Sequence, residues 1–425
     1  MKLLCGVTLV LAVAYYIYIP LPAGVGEPWK LMLVGATFRT VTNLADVTHS
    51  VGLTHHIHTI NLVISSFEWM VPPDYEEVRT LDTEFSGVHV RVYQPEATQS
   101  GSLRRGVVFI HGGGWALGTP KLGSYDLLCK KMAAKLDAVV VTVDYRMAPD
   151  VRFPVQYEEC VRASRYFLQR EVLAQFSVDP GRVAVCGDSA GGNLAAAVAQ
   201  RINQDRTGGV MDDTTDKNNI SGLKNDSGVK FKLQVLIYPV LQALDFNTAS
   251  YQQNQGIPIL YRPLMAHYWL EYLGADPDLI HTVLLNNHTA LDQTRVEPHR
   301  AKLDWTVMIP ERVRKHYRRV FPGTGSPSVL EKVPALLDVR AAPLLAEQKA
   351  LRALPRAYIM TCEHDVLRDD GMMYARRLEL AGVSVTHRHY EDGFHGCISF
   401  AFWPAYFSVG IRAIDDYIAW LHANL

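Results

Sequence analysis

Gly187-Asp188-Ser189-Ala190-Gly191 constrains this chain more than any other stretch. It follows the short apolar run Arg182-Val183-Ala184-Val185-Cys186 and opens the Ala-rich segment Asn193-Leu194-Ala195-Ala196-Ala197-Val198. A strand that turns into a helix this sharply leaves no room for side chains at the flanking positions, so glycine stands there. The serine is lifted to the carboxyl edge of a sheet. It is a candidate nucleophile if a base and an orienter lie elsewhere in the chain.

The remaining sequence supplies such a sheet. Apolar runs recur at 106–110, 138–143, 182–186, 233–238, 356–361 and 383–387, with stretches of helical composition between most of them. That alternation implies an α/β chain with a mostly parallel central sheet covered on both faces. Residues 88–93 alternate at period two, as an edge-type antiparallel strand does. Residues 206–230 are polar, rich in Asp, Asn, Gly and Thr, and read as a mobile surface loop. Residues from about 244 to 345 hold Tyr268, Trp269, Trp305 and several prolines but no evident strand; they read as a helical cap. Residues 26–75 look helical and membrane-proximal, and 76–425 form the catalytic domain.

His111-Gly112-Gly113-Gly114-Trp115 directly follows the run 106–110. Acyl transfer creates an oxyanion that fixed N–H donors must meet, and successive glycines let the backbone aim them. The expected donors are the amides of Gly112, Gly113 and Ala190, with His111 and Gly114 shaping the loop. The acid follows the run 356–361, in Cys362-Glu363-His364-Asp365. Asp365 sits just past a strand's carboxyl end, where catalytic groups of open sheets lie; Glu363 is the weaker alternative. Asp369 and Asp370 are assigned to capping and dipole pairing at the next helix. The base is His395, in Asp392-Gly393-Phe394-His395-Gly396, after the last strand. His387 and His389 fall within that strand.

Net charge is −1, which gives no sign of a nucleic-acid partner. The basic run 312–319 reads as a solvated helix face. Six cysteines form no Cys-x-x-Cys pair, and sequence alone does not pair Cys129, Cys160, Cys362 and Cys397. His55-His56-Ile57-His58 has no carboxylate or Cys companion nearby, so no metal is expected; acyl transfer by Ser189, His395 and Asp365 needs no organic cofactor either. Residues 3–25 carry no formal charge, and with Lys2 they make 1–25 a candidate membrane anchor long enough for one span. Tyr15, Tyr16 and Tyr18 suit an interfacial belt. Cleavage at Ala12-Val13-Ala14 would leave a signal peptide shorter than the usual ~15–30 residues, so the segment is read as uncleaved. Lys2 before the segment and Glu27, Lys30 and Arg39 after it do not fix orientation. Asn219, Asn225 and Asn287 each begin an N-x-S/T triplet beyond it, so one orientation puts all three on the luminal side.

Tyr145-Arg146-Met147-Ala148-Pro149 and Phe153-Pro154, with the elbow and glycine loop, resemble the hormone-sensitive lipase branch of the α/β-hydrolases. Finer likeness lies in Tyr18-Ile19-Pro20-Leu21-Pro22, Pro28-Trp29-Lys30-Leu31-Met32-Leu33, the run 238–247 and the run 362–371. These resemble the group that holds the arylacetamide deacetylases and the neutral sterol-ester hydrolases. The resemblance implies an α/β-hydrolase fold and a serine ester hydrolase, single-pass type II in the endoplasmic reticulum membrane with a luminal catalytic domain. It implies lipid ester substrates, namely long-chain sterol esters and acetylated ether lipids; no required protein partner is evident in the sequence. The 206–230 stretch departs from it by its length. An arylacetamide-type amidase is the rival within the same machinery. A non-catalytic receptor module is the rival from another class.

Overall fold

In the computed structural model, which describes residues 2–66, 74–96, 102–204, 228–289, 298–320 and 327–425, the strands form a single eight-stranded sheet. They are β1 (Val78–Phe85), β2 (Val88–Pro95), β3 (Arg104–Ile110), β4 (Ala138–Val143), β5 (Val178–Asp188), β6 (Leu233–Ile237), β7 (Arg356–His364) and β8 (Val385–Phe394). Their order is β1-β2-β4-β3-β5-β6-β7-β8. β2 is antiparallel to both its neighbours, and every later pairing is parallel.

β4 and β6 are buried from end to end, which is why they read as unbroken apolar runs. In β3 the alternation is resolved by face. Val108 and Ile110 join one apolar cluster with Val161, Leu194 and Met373, while Val107 and Phe109 join another with Leu128, Met132 and Tyr417. Contrary to the expectation of an edge strand, the alternating run 88–93 lies one place in from the sheet's edge. β1 lies outside it, joined by a two-residue turn in which Ser86 and Gly87 both have positive φ. β1 escaped detection because its middle is exposed and polar.

The parallel strands deliver their carboxyl ends to one edge. Ile110 pairs with Gly187 in register, so the glycine loop and the elbow leave the sheet side by side. Over that edge lies a layer of short helices. Residues 249–337 contribute Ala249–Gln253, Arg262–Leu273, Ile280–Leu284, Trp305–Met308 and Pro327–Lys332, with no strand among the described residues. Of the basic run 312–319, only the stretch up to Arg314 is helical. Of the polar stretch 206–230, residues 206–227 lie outside the described residues. Its far end is fixed, with Val229 buried and Lys230 Nζ donating to Asn203 O at 2.6 Å.

The N-terminal segment forms α1 (Lys2–Ile17), α2 (Pro28–Ser50) and α3 (His56–Ser65). The expected continuous helix across 3–25 is shortened. Pro20 and Pro22 lack an N–H and disfavour helix in the preceding residue, and α1 has already ended at Ile17. At 16 residues it reaches about 24 Å, below the ~30 Å of a hydrocarbon core. No helix among the described residues is long and apolar enough to cross a membrane. The chain after α1 turns back onto the catalytic domain, where Val25 is buried and Gly26 N donates to Asp392 O at 3.0 Å. Cys129, Cys160, Cys186, Cys362 and Cys397 are buried and unpaired, with the Cys362 and Cys397 sulfurs 3.9 Å apart.

Candidate active site

The elbow is built by close approach. A Cβ on Gly191 would lie 2.0 Å from Ile110 O, and one on Gly187 would lie 2.2 Å from Gly191 O. Glycine at these positions is therefore a packing requirement. Ser189 itself has φ +54°, a conformation that costs an L-residue roughly 1–3 kcal/mol and persists only when its surroundings enforce it. They do so here, because Ser189 N donates to Ile237 O at 2.9 Å and Ser189 O accepts from Asn193 N at 3.1 Å.

Ser189 Oγ lies 2.9 Å from His395 Nε2. His395 Nδ1 lies 2.9 Å from Asp365 Oδ2, so this nitrogen carries the proton toward the carboxylate and Nε2 faces the serine as acceptor. Asp365 is fully buried, and its other oxygen accepts from Leu367 N at 2.8 Å. The Tyr238 ring flanks the imidazole at 4.7 Å. A serine, an imidazole and a buried carboxylate in this order can remove a hydroxyl proton and return it to a leaving group.

The alternative acid is engaged elsewhere. Glu363 accepts from Arg368 and Gln253 and faces His389 Nε2 at 3.1 Å. Burial alone would raise its carboxyl, but these bonds and the Arg368 charge outweigh burial and bring it down to about 2. Asp369 and Asp370 do not cap the helix Arg368–Leu380 in the expected manner. Both are fully buried; Asp369 reaches the helix Ala249–Gln253, and Asp370 the loop after β6. Asp369 accepts from Ser250 N at 2.6 Å, and Asp370 from Leu241 N at 2.9 Å and Gln242 Nε2 at 3.0 Å. Burial pushes Asp370 up to about 8. His387 and His389 sit on β8 and meet Thr361 Oγ1, away from the serine.

The glycine loop corrects one expectation. Gly112 N is turned into the protein, donating to Asp188 Oδ1 at 2.9 Å and to Tyr125 Oη at 3.0 Å, so it is not free to meet an oxyanion. The amides of Gly113, Gly114 and Ala190 have no acceptor among the described residues. Gly113 has φ +98°, and a Cβ there would fall 2.0 Å from Leu117 O. His111 is fully buried, stacks on Tyr145 at 4.5 Å, and directs Nδ1 to Gly112 O at 2.9 Å. Burial drives it down to about 4, so the ring is neutral and shapes the loop.

Asp188 and Asn61 were missed by sequence reasoning. Asp188 ties the loop to the elbow from within the motif itself, and burial raises it to about 6 against the opposing bonds from Tyr125 and Gly112. An acid inside an otherwise apolar strand end was its available signal. Asn61, on α3, donates to Ala116 O at 2.8 Å and accepts from Gly118 N at 3.0 Å, with no local signal at all. Of the N-x-S/T sites, Asn219 and Asn225 lie outside the described residues. Asn287 opens a short 3-10 turn, Asn287–Thr289, and is partly exposed.

A family model described as the alpha/beta hydrolase fold matches residues 107–299 and 297–399. Neutral cholesterol ester hydrolase 1 of Mus musculus is 50% identical over 412 residues, covering 97% of this chain and 96% of that protein. Arylacetamide deacetylase of Mus musculus is 44% identical over 416 residues, covering 98% of each. Among solved structures, a thermophilic carboxylesterase cloned from a metagenomic library aligns with a TM-score of 0.59 at 25% identity, covering 87% of this chain and 97% of that one. A thermostable esterase from Pseudomonas putida aligns with a TM-score of 0.60 at 23% identity, covering 91% and 97%, and speaks to the fold alone. The chain belongs to the α/β-hydrolase family and is a carboxylic ester hydrolase.

Proposed function

We propose that Ser189 is the nucleophile, His395 the general base and acid, and Asp365 the group that orients the imidazole, in hydrolysis of lipid esters. The observation that carries this is the unbroken relay, 2.9 Å from Oγ to Nε2 and 2.9 Å from Nδ1 to Asp365. Ser189 Oγ attacks the acyl carbon as its proton passes to His395. The resulting oxyanion is met by the amides of Gly113, Gly114 and Ala190, the last at the N-terminus of the helix Ala190–Gln204. Collapse breaks the ester bond, and His395 protonates the departing alcohol. Water then repeats the sequence on the acyl-serine and releases the acid.

The lipid assignment draws on the name of the mouse relative at 50% identity, and on the surface around the site. Leu9, Leu11, Trp29 and Leu62 are exposed on α1–α3. α2 lies one layer from the catalytic histidine, since Gly35 abuts Pro258 and the neighbouring Ile259 touches Gly396. An apolar surface so placed suits an enzyme that takes its substrate from a bilayer. On this proposal 1–25 serves as the membrane attachment, the catalytic domain is luminal in the endoplasmic reticulum, and Asn219, Asn225 and Asn287 are glycan acceptors. Endoglycosidase should then increase gel mobility of the membrane-bound protein, and protease outside sealed microsomes should leave the catalytic domain intact. Digestion of that domain, with no glycan at any site, rejects the luminal orientation.

The substrate test compares a long-chain sterol ester in vesicles with an acetylated arylamine, using the full chain. Faster turnover of the sterol ester supports the proposal. Faster turnover of the arylamide favours the amidase activity that the name of the 44% identical relative describes.

A further inference from the structure

We propose that His55, His56 and Glu271 bind a divalent transition-metal ion of the zinc class, with His267 supplying a fourth ligand. The ligand atoms of the first three all lie within 4.8 Å of one another. His55 and His56 stand at the start of α3, and Glu271 and His267 share one face of the helix Arg262–Leu273, four residues apart. The sequence shows a histidine cluster without a carboxylate; the fold brings the carboxylate to it from the cap.

The spacings suit a small ion. A tetrahedral zinc with bonds of about 2.0–2.1 Å holds its ligand atoms about 3.3 Å apart. His267 Nε2 is 3.5 Å from Glu271 Oε1, and His55 Nε2 is 3.7 Å from the same oxygen. His56 Nε2 and His267 Nε2 face each other at 2.8 Å, with one ring donating to the other. An ion replaces that proton and widens the pair by about half an ångström. His55 gives up the long 3.4 Å bond that its Nδ1 accepts from Ile57 N, because Nδ1 takes the proton when Nε2 binds. Imidazole nitrogen with one carboxylate is a borderline donor set, which favours zinc over magnesium or calcium. The ligands are half-buried, which leaves a route of entry.

The ion would join two elements that both hold the glycine loop. α3 grips it through Asn61, and the helix Arg262–Leu273 packs Trp269 on Trp115 at 4.7 Å. Binding would therefore clamp the N-terminal segment to the cap above the loop.

The test uses full-length protein stripped of metal with a chelator, titrated with Zn²⁺ alone and with Co²⁺ alone. Saturation at about one equivalent, a tetrahedral Co²⁺ absorption band and a rise in Tm are expected. Slower amide exchange across 55–65 and 262–273 should accompany them. Glu271→Gln and, separately, His56→Gln should each weaken binding by about tenfold or more, while His316→Gln, away from the cluster, should leave it unchanged. Each variant's metal-free Tm checks that it folds, and either one alone suffices. Absence of saturable binding, or binding undiminished in the folded Glu271→Gln or His56→Gln protein, overturns the proposal.

Discussion

The floor of the site and its roof are built by different rules. The floor is the carboxyl edge of β3, β5, β6, β7 and β8, and its parts are fixed by sheet register, by glycines where any Cβ would fall about 2 Å from a neighbouring carbonyl oxygen, and by burial. The roof is α1–α3 with the described residues of 249–337, made of mostly short helices whose apolar residues include exposed ones such as Leu44, Leu62 and Val307. The natural inference is that the floor holds the chemistry and the roof only the specificity. The glycine loop complicates that division. Asp188 and Tyr125 hold its inner side, but Asn61, Trp269 and Tyr272 hold its outer side from the roof. The oxyanion donors are thus set by both layers together.

The largest effects should fall on the floor alone. Ser189→Ala is expected to lower kcat by roughly 10⁶ and abolish fluorophosphonate labelling, with little change in Tm. Retention of more than a few per cent of turnover in a clean preparation would contradict the assignment. Asp365→Asn should follow, with a loss of about 10⁴, because an amide cannot stabilise the imidazolium and favours the wrong tautomer. Glu363→Gln is its control: Glu363 serves Arg368 and His389, so Tm should fall and kcat should stay within about tenfold of wild type. The reverse pattern would exchange the two carboxylates.

The glycine loop comes next, where the two layers meet. Gly113→Val forces a side chain against Leu117 O and disturbs the amides beside it, for an expected loss of at least about 10² in kcat. Unchanged kcat in folded protein would remove Gly113 and Gly114 from the oxyanion site.

How much of this was legible follows the same divide. The elbow, the glycine loop, Asp365 and His395 could each be picked out because their signals are local: glycines at set offsets and polar residues just past apolar runs. The parallel sheet was legible for the same reason, each buried strand being its own apolar run. What escaped depends on partners distant in sequence. Gly112 looked equivalent to Gly113 until Asp188 was placed beneath it. β1 has no apolar face of its own to announce it. Asp370 resembled a helix cap, but its partners are Leu241 and Gln242. The leader's composition suggested one span, while α1 ends at Ile17, ahead of Pro20 and Pro22, and Val25 and Gly26 dock on the catalytic domain.

The smallest expected effect is the one that most sharpens the comparison. Asn61 touches neither the serine nor the imidazole; it is a positioning residue that clamps Ala116 O and Gly118 N with one amide. Removing it in Asn61→Ala deletes two part-buried hydrogen bonds, each contributing roughly 0.5–1.5 kcal/mol, so Tm should fall modestly. If the roof only covers the site, kinetics should be otherwise unaffected, or only KM for bulky esters should change. If the roof helps to set the oxyanion donors, kcat for a small acetyl ester should drop by about tenfold, near 1.4 kcal/mol of transition-state stabilisation, while its KM holds. Asn61→Asp separates packing from bonding, since a carboxylate of the same shape still accepts from Gly118 N but cannot donate to Ala116 O. An intermediate kcat for Asp at equal Tm assigns the effect to loop geometry, whereas a kcat equal to wild type in both variants returns the oxyanion loop to the floor alone.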